Sequence, residues 1–191
     1  MNEHDRKRVG PDGLEPDQTP VISKVTTLQG AQEVASLARE IWQEHYTPLI
    51  GAQQVAYMLD RFQSAEKIWQ DISTGQLTYS TLVLGGQLIG YLAARMDLAH
   101  SSCFLSKIYI LDTFRGRGFA RLFLDRLVDE CRALAVGQIW LTVNKGNSGS
   151  IAAYQKMGFR QDEAIVTDIG DGFVMDDFVM RLDLAAANPP G

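Results

Sequence analysis

Cysteine is scarce in this chain: two residues among 191, Cys103 in a strand-like stretch and Cys131 in a helical one. That excludes a disulfide framework, and both thiols read as buried and reduced. The three histidines and two cysteines are scattered without ligand spacing, so no metal is expected. No apolar run is long enough to cross a bilayer. The first eight residues, Met1 to Arg8, are charged and lack the apolar segment of a secretory signal. Positive charge is not in excess either, since 18 Lys and Arg stand against 23 Asp and Glu for a net charge of −5. That balance argues against a nucleic-acid partner. These absences together lead us to expect a cytoplasmic protein with neither membrane nor nucleic acid as partner.

What is present centres on Ser106 to Leu124. Ile108-Tyr109-Ile110 is a β-branched and aromatic strand run. Phe119, Leu122, Phe123, Leu127 and Cys131 fall on one buried helical stripe, with Arg121, Asp125, Asp129 and Arg132 between them. The junction holds Arg115-Gly116-Arg117-Gly118. Two glycines there remove side chains that would keep a ligand off the backbone. The helix start offers unpaired N–H groups and a partial positive charge, and two guanidinium forks add full charges suited to phosphate. The stretch reads as a pyrophosphate cradle.

Apolar periodicity organises the remainder. Polar residues 1–20, with Pro11, Gly13, Pro16 and Pro20, read as a flexible leader. One domain spans 21–183, and 184–191 with Pro189-Pro190 is a loose tail. A strand over 21–27 precedes helices over 31–45, 52–62 and 64–72, the first ended by Tyr46-Thr47-Pro48. Strands over 77–84 and 87–97 flank the hairpin signal Gly85-Gly86. The strand 102–111 enters the cradle, and the cradle helix follows. Beyond it lie a strand over 139–143, a helix begun by Asn147, and two strands over 159–167 and 173–182. The order β-α-α-α-β-β-β-α-β-α-β-β is mixed α/β (α+β) rather than a βαβ repeat.

Two familiar phosphate loops do not fit. In Gly116-Arg117-Gly118 the third position onward is Arg121, not glycine or alanine, and no acidic residue lies between Cys131 and Trp140. The Gly-Lys-Ser/Thr of a P-loop is absent. The pattern met is R/Q-x-x-G-x-G/A, by Arg115, Gly118 and Ala120. A second pattern, N-x-x-A-x-x-x-Y-x-K-x-G-F, is met by Asn147, Tyr154, Lys156, Gly158 and Phe159, with Ser150 in place of alanine. In both motifs, and in their order, the chain resembles the GNAT acyltransferase superfamily over about residues 21–183. Scattered positions from Trp42 to Leu59 resemble its diamine and polyamine acetyltransferase-like members.

The resemblance implies a single GNAT-like domain with a mixed, mostly antiparallel sheet flanked by helices and a splayed central pair of parallel strands. It implies acetyl-CoA as co-substrate, held by Ile108, Tyr109, Ile110, Arg115, Gly116, Arg117, Gly118, Phe119, Ala120, Asn147 and Tyr154. Tyr154 would protonate the leaving sulfur, and the Ile110 N–H would polarise the thioester carbonyl. The glutamate that relatives place on the central strand as base is missing, with Ser106 and Lys107 at those positions. Glu44, His45, Asp176 and Asp177 are the replacement candidates, at most one of the two aspartates facing a site. Cys103 reads as core, since nothing near it in sequence lowers its pKa. The implied activity is direct acetyl transfer to a primary amine, of a polyamine or an amino-acid-like molecule. The alternatives are a protein N-terminus or lysine as acceptor, and a CoA-binding sensor without catalysis. Exposed sheet edges make a homodimer an expectation too.

Overall fold

The computed structural model describes residues 19–184. The expected leader and tail therefore lie, but for their innermost residues, outside the described residues. Thirteen elements follow in chain order: β1 (Val21–Lys24), α1 (Leu28–His45), α2 (Thr47–Ile50), α3 (Ala52–Gln63), α4 (Ala65–Ser73), β2 (Thr78–Leu84), β3 (Gln87–Asp97), β4 (Ser102–Ile110), α5 (Phe119–Ala133), β5 (Gln138–Asn144), α6 (Ser148–Lys156), β6 (Arg160–Gly170) and β7 (Phe173–Asp183). The seven strands form one sheet in the order β1-β2-β3-β4-β5-β7-β6. All neighbours are antiparallel except β4 and β5. The expected mixed, mostly antiparallel fold is the one observed.

Boundaries moved where caps outweighed periodicity. Helix α1 starts three residues before the expected Ala31, because the Thr27 hydroxyl accepts from the Gly30 N–H at 3.1 Å. Pro48 does end α1, yet the chain turns directly into the one-turn α2 with that proline in its first turn, where no N–H is needed. Gly85 and Gly86 have φ of 56° and 79°, the left-handed pair that a two-residue hairpin requires.

Two cores lie on opposite faces of the sheet. Val34, Ile41, Val55, Leu59 and Ile68 of α1, α3 and α4 pack with Tyr79 and Tyr91. Phe123, Leu124, Leu127 and Cys131 of α5 pack with Leu105, Ile110, Ile139 and Met180. Both cysteines are free and buried. The faces communicate through one gap. Strands β4 and β5 pair only at Ser102↔Gln138, Cys103↔Ile139 and Phe104↔Trp140. From Leu105 and Leu141 onward they share no ladder, which is the expected splay.

Gly90 lets β3 close against the far end of that gap. It pairs with Ile110, and a Cβ built there would stand 2.7 Å from the Tyr109 carbonyl oxygen and 2.5 Å from Ile110 Cδ1. Backbone cannot yield as a flexible side chain does, so Gly90→Ala should cost about 1–3 kcal/mol. Urea unfolding of the variant should show an earlier midpoint at an unchanged slope. A midpoint at the wild-type value would contradict the close approach.

Candidate active site

The cradle is built as its sequence suggests, with one reassignment. Gly116 and Gly118 have φ of 74° and 86°, and a Cβ on either would meet nothing within 4 Å. Glycine is there for backbone conformation, not for want of space. No side chain caps the N-terminus of α5, so its first N–H groups are open to an anion. Arg115, however, turns back onto the protein. Its Nε donates to the Ile110 carbonyl at 3.0 Å and its Nη1 to Asp112 Oδ1 at 2.9 Å. The Arg117 guanidinium lies over the Phe114 ring, 5.2 Å from its centroid. Between α5 and α6 runs a cavity of about 510 Å³ whose wall includes Gly116, Gly118, Phe119, Ala120, Ala153 and Met157.

The splay exposes backbone. Leu111 donates its N–H to the Ile89 carbonyl at 2.9 Å, so alternation turns the Ile110 N–H away from β3 and toward the gap. The Ile110 carbonyl, on that same edge, is the one satisfied by Arg115. Ile108 and Ile110 line the cavity beside the cradle and a second one across the sheet. Tyr109 points only into the second, its hydroxyl 3.4 Å from that of Tyr46.

Tyr154 stands at the junction. It lines both cavities, and its ring packs edge-on against Phe159 at 5.6 Å. Burial pushes its hydroxyl well above the ordinary tyrosine value, so it holds its proton at neutral pH. Asn147 is buried and lines neither cavity. Its Oδ1 accepts from the Ser150 N–H at 3.1 Å as the cap of α6, which turns its Nδ2 to His45 Nε2 at 3.0 Å.

The second cavity, of about 300 Å³, is walled by α1, α2, α3 and the splayed strands. Trp42, Tyr46, Met58, Phe62 and Met175 supply its apolar surface. His45, Lys107, Arg115 and Asp177 are its charged or titratable groups besides tyrosine. Glu44 is exposed and outside it. His45 is pulled below its ordinary pKa by burial and then by Arg115, and its Nε2 already accepts from Asn147. A neutral ring with its lone pair engaged is a poor base. The adjacent aspartates divide as strand alternation requires. Asp176 is exposed and paired to Lys145, whereas Asp177 is buried and faces the cavity. Burial raises the Asp177 pKa, with Thr142 and Lys145 opposing. Among the described residues, Asp177 is the carboxylate that the fold brings to this cavity.

Among the described residues no three His, Cys, Asp or Glu side chains converge on a point that would hold a metal. No described helix is long and apolar enough to cross a membrane. The arrangement thus offers a glycine turn with open helix N–H groups, an apolar channel and a free amide on a splayed strand. A protonated tyrosine stands where the channel meets an aromatic cavity.

Known proteins resemble this chain in sequence and in fold. The ribosomal protein bS18-alanine N-acetyltransferase of Haemophilus influenzae is 32% identical over 80 residues, which are 42% of this chain and 53% of that protein. The match spans about half that relative's length. The crystal structure of the PaiA N-acetyltransferase of Thermoplasma acidophilum with coenzyme A superposes with a TM-score of 0.74 at 18% identity, covering 86% of this chain and 99% of that one. A spermidine N-acetyltransferase chimera from Vibrio cholerae and hSSAT gives a TM-score of 0.65 at 19% identity, over 86% of this chain and 95% of the other. Residues 35–159 match the model of the Acetyltransferase (GNAT) family. The chain belongs to the GNAT family of acetyltransferases, with acetyl-CoA as its co-substrate.

Proposed function

We propose that this chain transfers the acetyl group of acetyl-CoA directly to the primary amine of a small molecule. The observation that carries the reading is Tyr154, a protonated hydroxyl bordering both the cradle cavity and the aromatic cavity. The glycine turn, the α5 N-terminus and the groove toward α6 would hold the pyrophosphate and its arm. The Ile110 N–H would donate to the thioester oxygen as negative charge grows there. The amine nitrogen forms its bond to the acetyl carbon while the carbon–sulfur bond breaks. Asp177 takes the proton that the nitrogen sheds, and Tyr154 gives its own to the departing sulfur.

A small acceptor is favoured by the closed far wall of the aromatic cavity. Gln54 donates to the Val174 carbonyl at 2.9 Å and Tyr57 to the Ile169 carbonyl at 2.6 Å, so α3 is tied to β6 and β7. An internal lysine of an extended chain would need a groove open at both ends, whereas a chain's N-terminus would need one mouth wide enough for the residues behind it. The second reading, a protein acceptor, draws on the relative named for an alanine of ribosomal protein bS18. Release of free thiol from acetyl-CoA separates the two. Small amines should raise it over the no-amine control, and a peptide beginning with alanine should not. Release with the peptide alone would overturn the small-acceptor reading. Binding of acetyl-CoA without release by any amine would favour a sensor.

Tyr154→Phe should lower kcat by about 10²–10⁴-fold, the range for loss of a general acid, with calorimetric acetyl-CoA affinity retained. An undiminished kcat would remove Tyr154 from the chemistry. Asp177→Asn should make kcat/KM for the amine climb about tenfold per pH unit below the amine pKa of about 10, because only the free base then reacts. The wild type, with its carboxylate ionised above a raised pKa, should show a shallower rise. Identical profiles would place the base elsewhere. Gly118→Ala forces a Cβ into the left-handed region at about 1–2 kcal/mol, and relaxation of the turn should raise KM for acetyl-CoA by about tenfold.

A further inference from the structure

A β-bulge decides what stands at the deep end of the aromatic cavity. The β3–β4 register jumps so that Ala93 opposes Lys107 and Ala94 opposes Leu105, leaving Ser106 unpaired. With strict alternation, Lys107 would share the face of Cys103 and Leu105 and enter the core under α5. The extra residue inverts this. Ile108 and Ile110 now face α5, and Lys107 and Tyr109 face the cavity.

Lys107 is 9% exposed. Its Nζ reaches the Ser106 hydroxyl at 3.3 Å and lies 5.5 Å from the centre of the Tyr79 ring. The nearby Asp71 is engaged elsewhere, by Lys67 at 2.5 Å and by the Tyr79 hydroxyl at 3.5 Å. Among the described residues, then, the Ser106 hydroxyl is the one hydrogen-bond acceptor that meets the Lys107 ammonium, which has three donors to place. A buried donor left open is costly, and costlier when charged. Burial lowers the Lys107 pKa to about 8, with Asp71 opposing, which keeps the group mostly cationic at neutral pH.

The position of this charge is specific. Lys107 lies just beyond Phe104↔Trp140, the last β4–β5 pair, where the splay begins. Ile110 is three residues on, ~10 Å along the strand. Asp177 lines the same cavity from β7. The cavity therefore carries an acid for an ammonium and, set apart from the reacting end, a cation for an anion. Resting on the small-amine reading above, we propose that Lys107 binds a carboxylate of the acceptor. The substrate class is then an amine whose acid group is several atoms away, such as an ω-amino acid. A polyamine would instead press a second ammonium against Lys107.

The test compares matched acceptors on the wild-type protein by thiol release. Linear ω-amino acids of four, six and eight carbons are each set against the alkylamine of equal length and the corresponding diamine. A charged hydrogen bond is worth about 1.5–3 kcal/mol, so at least one amino acid should exceed its alkylamine in kcat/KM by about 10–100-fold, through KM. The diamines should fall below the alkylamines. In Lys107→Met the amino-acid advantage should shrink to about onefold, and in Lys107→Arg most of it should return. Transfer with no preference for the acid at any length, or with diamines preferred, overturns this inference and leaves the small-amine reading standing. Transfer to none of the amines overturns both. The wild-type comparison decides even where Lys107→Met fails to fold.

Discussion

The structure depends on one interruption: β4 and β5 stop pairing after Phe104↔Trp140. A strand edge inside a folded domain must find other partners, because a buried backbone polar group without one costs as much as a lost hydrogen bond. The protein satisfies one group of that edge itself, since Arg115 reaches back to the Ile110 carbonyl at 3.0 Å. The Ile110 N–H remains available to a ligand. The gap thus leaves backbone groups that the sheet itself does not pair, where a ligand could bond. The helices follow from the same fact. Helix α5 roofs one face with Phe123 and Leu124, α1 and α3 roof the other, and the gap joins their cavities.

A polar chain fastens the mouth of the gap. Arg115 contacts Ile110, Asp112 and, at 3.4 Å, His45 Nδ1. His45 Nε2 meets Asn147 Nδ2, and Asn147 caps α6, the helix that carries Tyr154. Three segments far apart in sequence, the end of α1, the turn after β4 and the start of α6, are registered by these side chains. The roles of Arg115 and Asn147 are accordingly geometric in this structure: they set the edge and the helix between which the chemistry is proposed. Burial, and after it the cationic guanidinium, pull His45 below its ordinary pKa, and the neutral ring so favoured accepts from Asn147 without competing for its cap.

Much of this was legible in the sequence, and the reasons differ by element. Helix α5 and the cradle show in the chain because glycines at fixed offsets and an apolar stripe are local signals; both glycines do adopt positive φ. The Asn147–Phe159 pattern likewise located α6 and Tyr154, whose register needs no tertiary knowledge. Between the two aspartates, alternation left one place in the site, and tertiary burial alone chose Asp177. What stayed hidden is long-range. The bulge at Ser106 arises from pairing with β3, so nothing local reveals that Lys107 leaves the core face for the cavity. Arg115 reads as a phosphate ligand until the splay supplies it a closer carbonyl. The aromatic cavity draws Trp42, Tyr46, Phe62 and Tyr109 from α1, its following turn, α3 and β4, and no spacing announces such a convergence.

The central claim is that the Ile110 amide is an open donor reserved for acetyl-CoA, and amide hydrogen exchange reads it directly. In the free protein, the Leu111 N–H, bonded to the Ile89 carbonyl, should exchange slowly while its neighbour Ile110 exchanges fast. Saturating acetyl-CoA should slow Ile110 selectively. Equal protection of both amides in the free protein, or an Ile110 rate that acetyl-CoA leaves unchanged, would contradict the account.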